Sequence, residues 1–260
     1  MSEAGAPRLS LVVPAYNEES RIGASVQRIG AFLEGLGYKS EVIVVDDGSR
    51  VAGRRAAKAS LESLPPSVQG VFLQHEMNRG KGAAVRTGCL AARGQYVAFI
   101  DADLASPPED LAALLSALDG GADVAIGVRN QGDGSDMRNK RSLPRLLAGR
   151  LFNLYMRVVL VPDVGDSQCP LKAFKRAAAQ RLFRLQRIET WSFDAELIFL
   201  ASRLGLRLAK IPVRWQAVEG SHLKLLSLKT ALELWQMLRI RWSHRGVSKQ
   251  TLAGEAVEAT

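Results

Sequence analysis

The chain has 260 residues, enough for one large domain and at most two. It is 47% apolar and 23% charged, and no uninterrupted apolar run approaches the roughly 18 residues that would announce a spanning helix. The net charge of +9 is lopsided, with 12 Lys+Arg against 15 Asp+Glu in residues 1–128 but 23 against 11 in residues 129–260, so the second half expects an anionic partner.

Five short runs rich in Val and Ile read as strands: Leu9 to Val13, Glu41 to Val45, Val71 to Leu73, Tyr96 to Ile100 and Val124 to Gly127. The near-continuous apolarity of Val42-Ile43-Val44-Val45 indicates burial on both faces, as in a parallel sheet. Between the first two runs, Ile22, Val26, Ile29, Leu33 and Leu36 recur at helical spacing. Ser106-Pro107-Pro108-Glu109 reads as a capping box opening a helix through Leu118. Such alternation predicts an α/β fold with an open, mostly parallel sheet and helices on both faces. Ligands then bind beyond the carboxyl ends of the strands.

The loops after those strands carry the chemistry. Pro14-Ala15-Tyr16-Asn17-Glu18 follows the first, Asp46-Asp47-Gly48-Ser49 the second, and Asn78-Arg79-Gly80-Lys81-Gly82 the third. Asp101-Ala102-Asp103 follows the fourth. Residues i and i+2 of an extended segment share a side, so Asp101 and Asp103 converge where a buried strand ends. Paired carboxylates of this kind suit a divalent cation shared with phosphate oxygens. Asp47 is equally compatible with capping its turn, and Lys81 with a solvated surface cation. The Gly80-Lys81-Gly82 loop lacks Walker spacing, and Gly-x-Gly-x-x-Gly does not follow the first strand.

Beyond Val128 the chain turns basic. Leu143 to Val161 and Leu223 to Trp242 interleave apolar residues and aromatics with Lys and Arg, which fits either packed amphipathic helices or interfacial ones on anionic lipid. No helix-turn-helix, zinc-finger or aromatic RNA-binding signature is present, so nucleic acid is not an expected partner. Cys89 and Cys169 form no metal spacing and no disulfide framework. Residues 1–10 hold no signal-peptide core, which reads as a cytoplasmic location, and residues 247–260 as a disordered tail.

Taken together, the four loop motifs resemble those of family 2 inverting glycosyltransferases of the GT-A fold, from about Leu9 to Trp242. Asp166-Ser167-Gln168-Cys169 with Lys172 and Phe174, Trp191 to Leu197, and Glu219-Gly220-Ser221 are most similar to the polyprenyl-phosphate (dolichyl-phosphate) glucosyltransferases. The resemblance implies one GT-A domain over 1–246, with a nucleotide-sugar half (1–128) and an acceptor- and membrane-facing half (129–246). It implies that Pro14, Ala15, Tyr16, Glu18, Asp46, Asp47, Lys81 and Ala102 bind the nucleotide, and that Asp101 and Asp103 hold Mg²⁺ or Mn²⁺. Arg129 and Arg141 then serve catalysis by gripping phosphates, with Gln168, Lys172, Trp191 and Asp194 at the acceptor. The implied reaction moves glucose from UDP-glucose to a polyprenyl phosphate at the cytoplasmic membrane face. Mannose from GDP-mannose and a soluble acceptor are the alternatives. Two departures stand out: Ala105 replaces a Gln common in the mannose synthases, and Pro170 stands where the glucosyl branch usually has Gly.

Overall fold

Side chains of successive strand residues point to opposite faces, and here both faces are apolar. Along the first strand Leu9, Leu11, Val13 and Ala15 enter one core cluster, while Val12 enters a second on the other side. Val42 and Val44 alternate in the same way with Ile43 and Val45. A sheet buried on both faces needs helices on each, and the computed structural model supplies them over the residues it describes, 6–129, 169–215 and 239–247.

The strands are β1 (Leu9–Ala15), β2 (Ser40–Asp47), β3 (Val68–His75), β4 (Tyr96–Phe99), β5 (Val124–Arg129), β6 (Lys172–Lys175) and β7 (Leu208–Val213). They form one sheet in the order β3-β2-β1-β4-β6-β5-β7, parallel except for β6. Because β6 runs antiparallel to both β4 and β5, those two strands run the same way, and the carboxyl ends of β1, β2, β4 and β5 share an edge. Both halves of the sequence therefore contribute to one sheet.

Helices α1 (Ile22–Gly35), α2 (Val51–Ser60) and α4 (Leu111–Asp119) cover the first face with Ile22, Val26, Ile29 and Leu33, with Ala57, and with Leu111, Leu114, Leu115 and Leu118. Helices α3 (Lys81–Ala91), α5 (Arg176–Leu185) and α6 (Phe193–Arg203) cover the second. There Phe99 lies between Phe174 and Phe193, with ring centroids 6.2 and 5.7 Å away. Burying such a ring contributes about 1.5–3 kcal/mol.

Three sequence expectations change. The capping box is not formed: Pro107 is extended, a 3-10 turn begins at Pro108, and Ser106 Oγ is buried without a hydrogen-bond partner. Pro108 causes this, since a proline ring bars the preceding residue from helical geometry and shifts the start by one position. Glu109 pairs instead with Arg28 at 3.0 Å. The third strand runs from 68 to 75 rather than 71 to 73, its polar positions lying on a partly exposed edge. Val247, expected in the tail, is partly buried against the second core. Arg141, Gln168, the 143–161 stretch and residues 223–238 lie outside the described residues.

Candidate active site

Register places the loop motifs side by side. Ala15 of β1 is opposite Asp46 of β2, and Ile100 N–H donates to the Val12 carbonyl at 3.0 Å, so Asp101 emerges next to the end of β1. Asn17, in the left-handed region at φ 54°, stitches the first two loops together. Its N–H donates to Ser49 Oγ and its side-chain oxygen accepts from Arg50 N–H, both at 2.9 Å. Tyr16 is left 49% exposed at this edge, a ring available to pack against a planar ligand.

Asp46 is the most telling group. It is fully buried, yet neither carboxylate oxygen has a hydrogen-bond partner; Arg54 Nε lies 3.7 Å from Oδ2. A buried carboxylate without donors is costly unless something supplies them, and a ligand with N–H or O–H groups would.

Asp47 is placed differently. Its Oδ1 accepts from Arg79 N–H at 3.0 Å and its Oδ2 from Gly80 N–H at 2.8 Å, and His75 Nδ1 is 2.7 Å from Oδ1. His75 is held in turn by Thr87 at 2.9 Å. Asp47 thus ties the 78–82 loop to the end of β2, the kind of loop-holding contact that one of its two sequence readings described. Glycine is required here at two points. Gly48 has φ 72°, and a side chain on it would strike the Met77–Asn78 backbone. Gly80 has φ 111°, and a Cβ there would lie 2.5 Å from the Glu189 carbonyl oxygen.

The 78–82 loop delivers Lys81 to the carboxylate pair. Its Nζ is 2.8 Å from Asp101 Oδ2 in a directed hydrogen bond and 2.6 Å from Oδ1, which it contacts by charge alone. Burial pulls the Lys81 ammonium toward neutrality, but Asp101, Asp194 and Asp103 outweigh it and hold the pKa above the ordinary value. Asp103 Oδ1 accepts from Ala105 N–H at 3.0 Å, and Leu104 adopts φ 49° in the turn between them. The Ala102 carbonyl accepts from Ser25 Oγ at 2.6 Å, which ties this turn to α1. Glu18 completes the corner, bonded to Arg21 at 2.7 Å. Burial raises its pKa, Arg21 opposes, and Asp103 and Asp101 raise it further. That mutual repulsion marks a local excess of negative charge.

Trp191 stacks over Lys81, with Nζ 5.0 Å from the ring centroid, and is 59% exposed. Lys172 and Asp194, expected at the acceptor, are 1% and 4% exposed and bonded to each other at 2.6 Å. Lys172 also donates to the Cys169 carbonyl at 2.6 Å. Both lie beneath the site: Lys172 pairs with Phe99 across β4 and β6, and Asp194 reaches Lys81 by charge. Burial raises the Asp194 pKa, and Lys172 and Lys81 offset this only in part. Arg129 ends β5 at the same sheet edge, its guanidinium 5.2 Å from the Trp215 ring.

Sequence reading missed the 186–190 segment. Gln186 Nε2 donates to the Gly82 carbonyl at 3.0 Å, and the Glu189 carbonyl accepts from Ala83 N–H at 3.1 Å. Arg79 also pairs with the Glu189 carboxylate at 2.5 Å. No spacing could announce these contacts across more than 100 residues.

Asp101 and Asp103 match the donor set of a magnesium or manganese ion that takes two carboxylates and fills its other positions with phosphate and water. Among the described residues no cluster of three acidic, His or Cys groups forms a complete protein cage. A two-carboxylate edge beside surplus negative charge fits an ion that arrives with a diphosphate.

A model of the family described as Glycosyl transferase family 2 matches residues 10–183. The chain belongs to this family. It is a glycosyltransferase. A curated relative from Dictyostelium discoideum named dolichyl-phosphate beta-glucosyltransferase is 32% identical over 91% of this chain and 74% of its own length. Relatives of the same name from Drosophila melanogaster and Homo sapiens are 37% and 33% identical, each over 83% of this chain and 69% of theirs. Among solved structures, glucosyl-3-phosphoglycerate synthase from Mycobacterium tuberculosis in complex with Mn²⁺, UDP-glucose and phosphoglyceric acid aligns with TM-score 0.62. It is 23% identical, over 94% of this chain and 82% of that one. A mannosyltransferase from Pyrobaculum calidifontis in complex with GDP-mannose and Mn²⁺ aligns with TM-score 0.56 at 20% identity, over 84% and 59%. These likenesses establish the GT-A fold.

Proposed function

We propose that this family 2 glycosyltransferase moves glucose from UDP-glucose to a polyprenyl monophosphate, dolichyl or undecaprenyl, with inversion at the anomeric carbon. The observation that carries the reading is the corner where Asp101, Asp103 and Glu18 converge beside the unsatisfied carboxylate of Asp46. The names of the relatives support the sugar and the lipid phosphate.

The chemistry is a single displacement. An acceptor phosphate oxygen attacks the anomeric carbon, the bond from that carbon to the diphosphate breaks, and UDP departs with the electron pair. The phosphate monoester has a second pKa of about 6, so it is already ionised at neutral pH and needs no strong protein base. Asp46 accepts N–H groups of the base, and Tyr16 packs on base or ribose. Asp101 and Asp103 would hold Mg²⁺ or Mn²⁺, which supplies Lewis-acid stabilisation of the leaving diphosphate. Lys81 adds a fixed positive charge beside the same carboxylates, and Arg129 with Arg141 grips the acceptor phosphate. Trp191, exposed over Lys81, walls the sugar or acceptor side.

The acceptor places the enzyme at an anionic cytoplasmic membrane face. Among the described residues no helix is long and apolar enough to cross a membrane; the basic second half supplies attraction of about 1 kcal/mol per cation near the surface. The deciding experiment offers UDP-glucose, UDP-galactose and GDP-mannose with a short-chain prenyl phosphate and Mn²⁺ or Mg²⁺, reading products by mass. A hexosyl prenyl phosphate from UDP-glucose is expected. Turnover only with GDP-mannose, or only with a soluble phosphorylated acceptor, overturns the reading.

A further inference from the structure

A second basic feature lies away from the carboxylate corner. An open cleft of about 730 Å³ is lined by Arg187, Arg239, Trp242, Ser243 and Arg245 together with Gly246 and Val247, with no acidic residue among the described ones that form it. We propose that this cleft seats the phosphate headgroup of an anionic membrane lipid. The inference deepens the membrane part of the proposed function and does not depend on which sugar is transferred.

Helical spacing explains how the cleft is made. Ile240 and His244, four residues apart, face inward and are 2% and 1% exposed. Arg239, Trp242 and Arg245, three apart, share the outward face, where Trp242 is 81% exposed. One buried carboxylate fixes both walls. Glu196 Oε1 is 2.6 Å from His244 Nε2, and Glu196 also accepts the N–H groups of Arg187 and Ile188, at 3.1 and 2.8 Å. Arg203 holds the far end by donating to the Val247 and Arg245 carbonyls at 3.1 and 3.5 Å. The spacing between Arg187 and the 239–247 segment is therefore set by these hydrogen bonds, and an open cleft lies between the two.

The chemistry of the lining selects the ligand. Guanidinium forks match phosphate oxygens in pairs. An exposed indole beside them suits the boundary between headgroups and acyl chains, where Trp is enriched because one end is apolar and the other polar. A free phosphate ion gives no reason for a large apolar ring in water. The cleft also adjoins the donor loop, since Arg187 follows Gln186, which bonds Gly82. A lipid held here would keep the catalytic edge close to the surface that presents the acceptor.

The test is flotation of the full chain with phosphatidylcholine vesicles, with and without phosphatidylglycerol. Binding is expected only with phosphatidylglycerol. The Arg187→Ser/Arg245→Ser double variant should bind roughly 25-fold more weakly, about fivefold per cation. Trp242→Ala should also weaken binding, and the Arg187→Lys/Arg245→Lys variant, which keeps the charge but loses the paired N–H donors, should bind more weakly than the parent and more tightly than the serine variant. All variants should keep the parent's thermal midpoint and its rate on a water-soluble short-chain prenyl phosphate. Equal vesicle binding by parent and double variant, or parent binding without phosphatidylglycerol, overturns the proposal. Saturable binding of inorganic phosphate that the double variant loses reassigns the cleft to a soluble anion. Absence of transfer by the parent would refute the enzymatic reading while leaving the vesicle result interpretable.

Discussion

Asp103 and Lys172, both expected at the site from sequence, have different surroundings. Asp103 lies at the partly exposed corner and keeps acceptor capacity beyond its one bond to Ala105 N–H. Asp103→Asn should lower transfer by about 100- to 1,000-fold while leaving the circular dichroism spectrum and unfolding midpoint unchanged, because electrostatic stabilisation of the leaving group is lost and no core contact is. Lys172 is 1% exposed and bound to Asp194. Lys172→Met leaves Asp194 buried without its main partner and should cost about 3–5 kcal/mol in urea unfolding, most of it recovered by the Lys172→Met/Asp194→Leu double variant. The carboxylate corner was legible from two acidic residues directly after a buried strand, although β4 ends at Phe99 and residues 101–104 form a turn, with Leu104 N–H donating to the Asp101 carbonyl at 3.1 Å, in place of the extended segment expected. The burial of Lys172 was not, since a lysine on a short strand carries no sequence mark of its partner on a helix 22 residues later.

Among the elements, loops matter more than strands. Gly80→Ala meets both a φ of 111° and the Glu189 carbonyl, so the 78–82 loop must move and carry Lys81 with it. Steady-state kinetics should show a higher KM for the nucleotide sugar and a reduced kcat. The β5–β7 end of the sheet gives a pH prediction. Burial pushes the Asp123 carboxyl up, but the Arg207 N–H, the Arg207 guanidinium and Lys175 outweigh it, leaving its pKa below 3.8. A depressed carboxyl stabilises the fold above its unfolded value and loses that contribution as pH falls through the folded one. Asp123→Asn should therefore lower the thermal midpoint near neutrality, and the gap from the parent should close below about pH 4. Strands β6 and β7 escaped sequence reading for related reasons. The first has only Ala173 and Phe174 between lysines, and the second is an edge strand interrupted by Lys210 and Pro212.

Across the whole molecule, one sheet edge gathers the loop motifs. Five strands and their loops were readable from Val- and Ile-rich runs; parallel pairing aligns the carboxyl ends of the first four, and the antiparallel β6 between β4 and β5 brings the fifth to the same edge. The approach of residues 186–191 to the 78–82 loop, and of His244 to Glu196, depends on tertiary packing that no local pattern records. Through the Glu196 bonds to Arg187 and Ile188, these contacts together connect the 78–82 loop with the basic C-terminal part of the described chain. The central claim is that Asp101 and Asp103 hold a divalent ion against the donor's diphosphate. Calorimetric titration of UDP into the protein, with Mn²⁺ and then with EDTA, tests it most directly. The account predicts tight binding that weakens strongly in EDTA, and an Asp103→Asn variant for which the metal makes little difference; equal affinity for UDP with and without Mn²⁺ would contradict it.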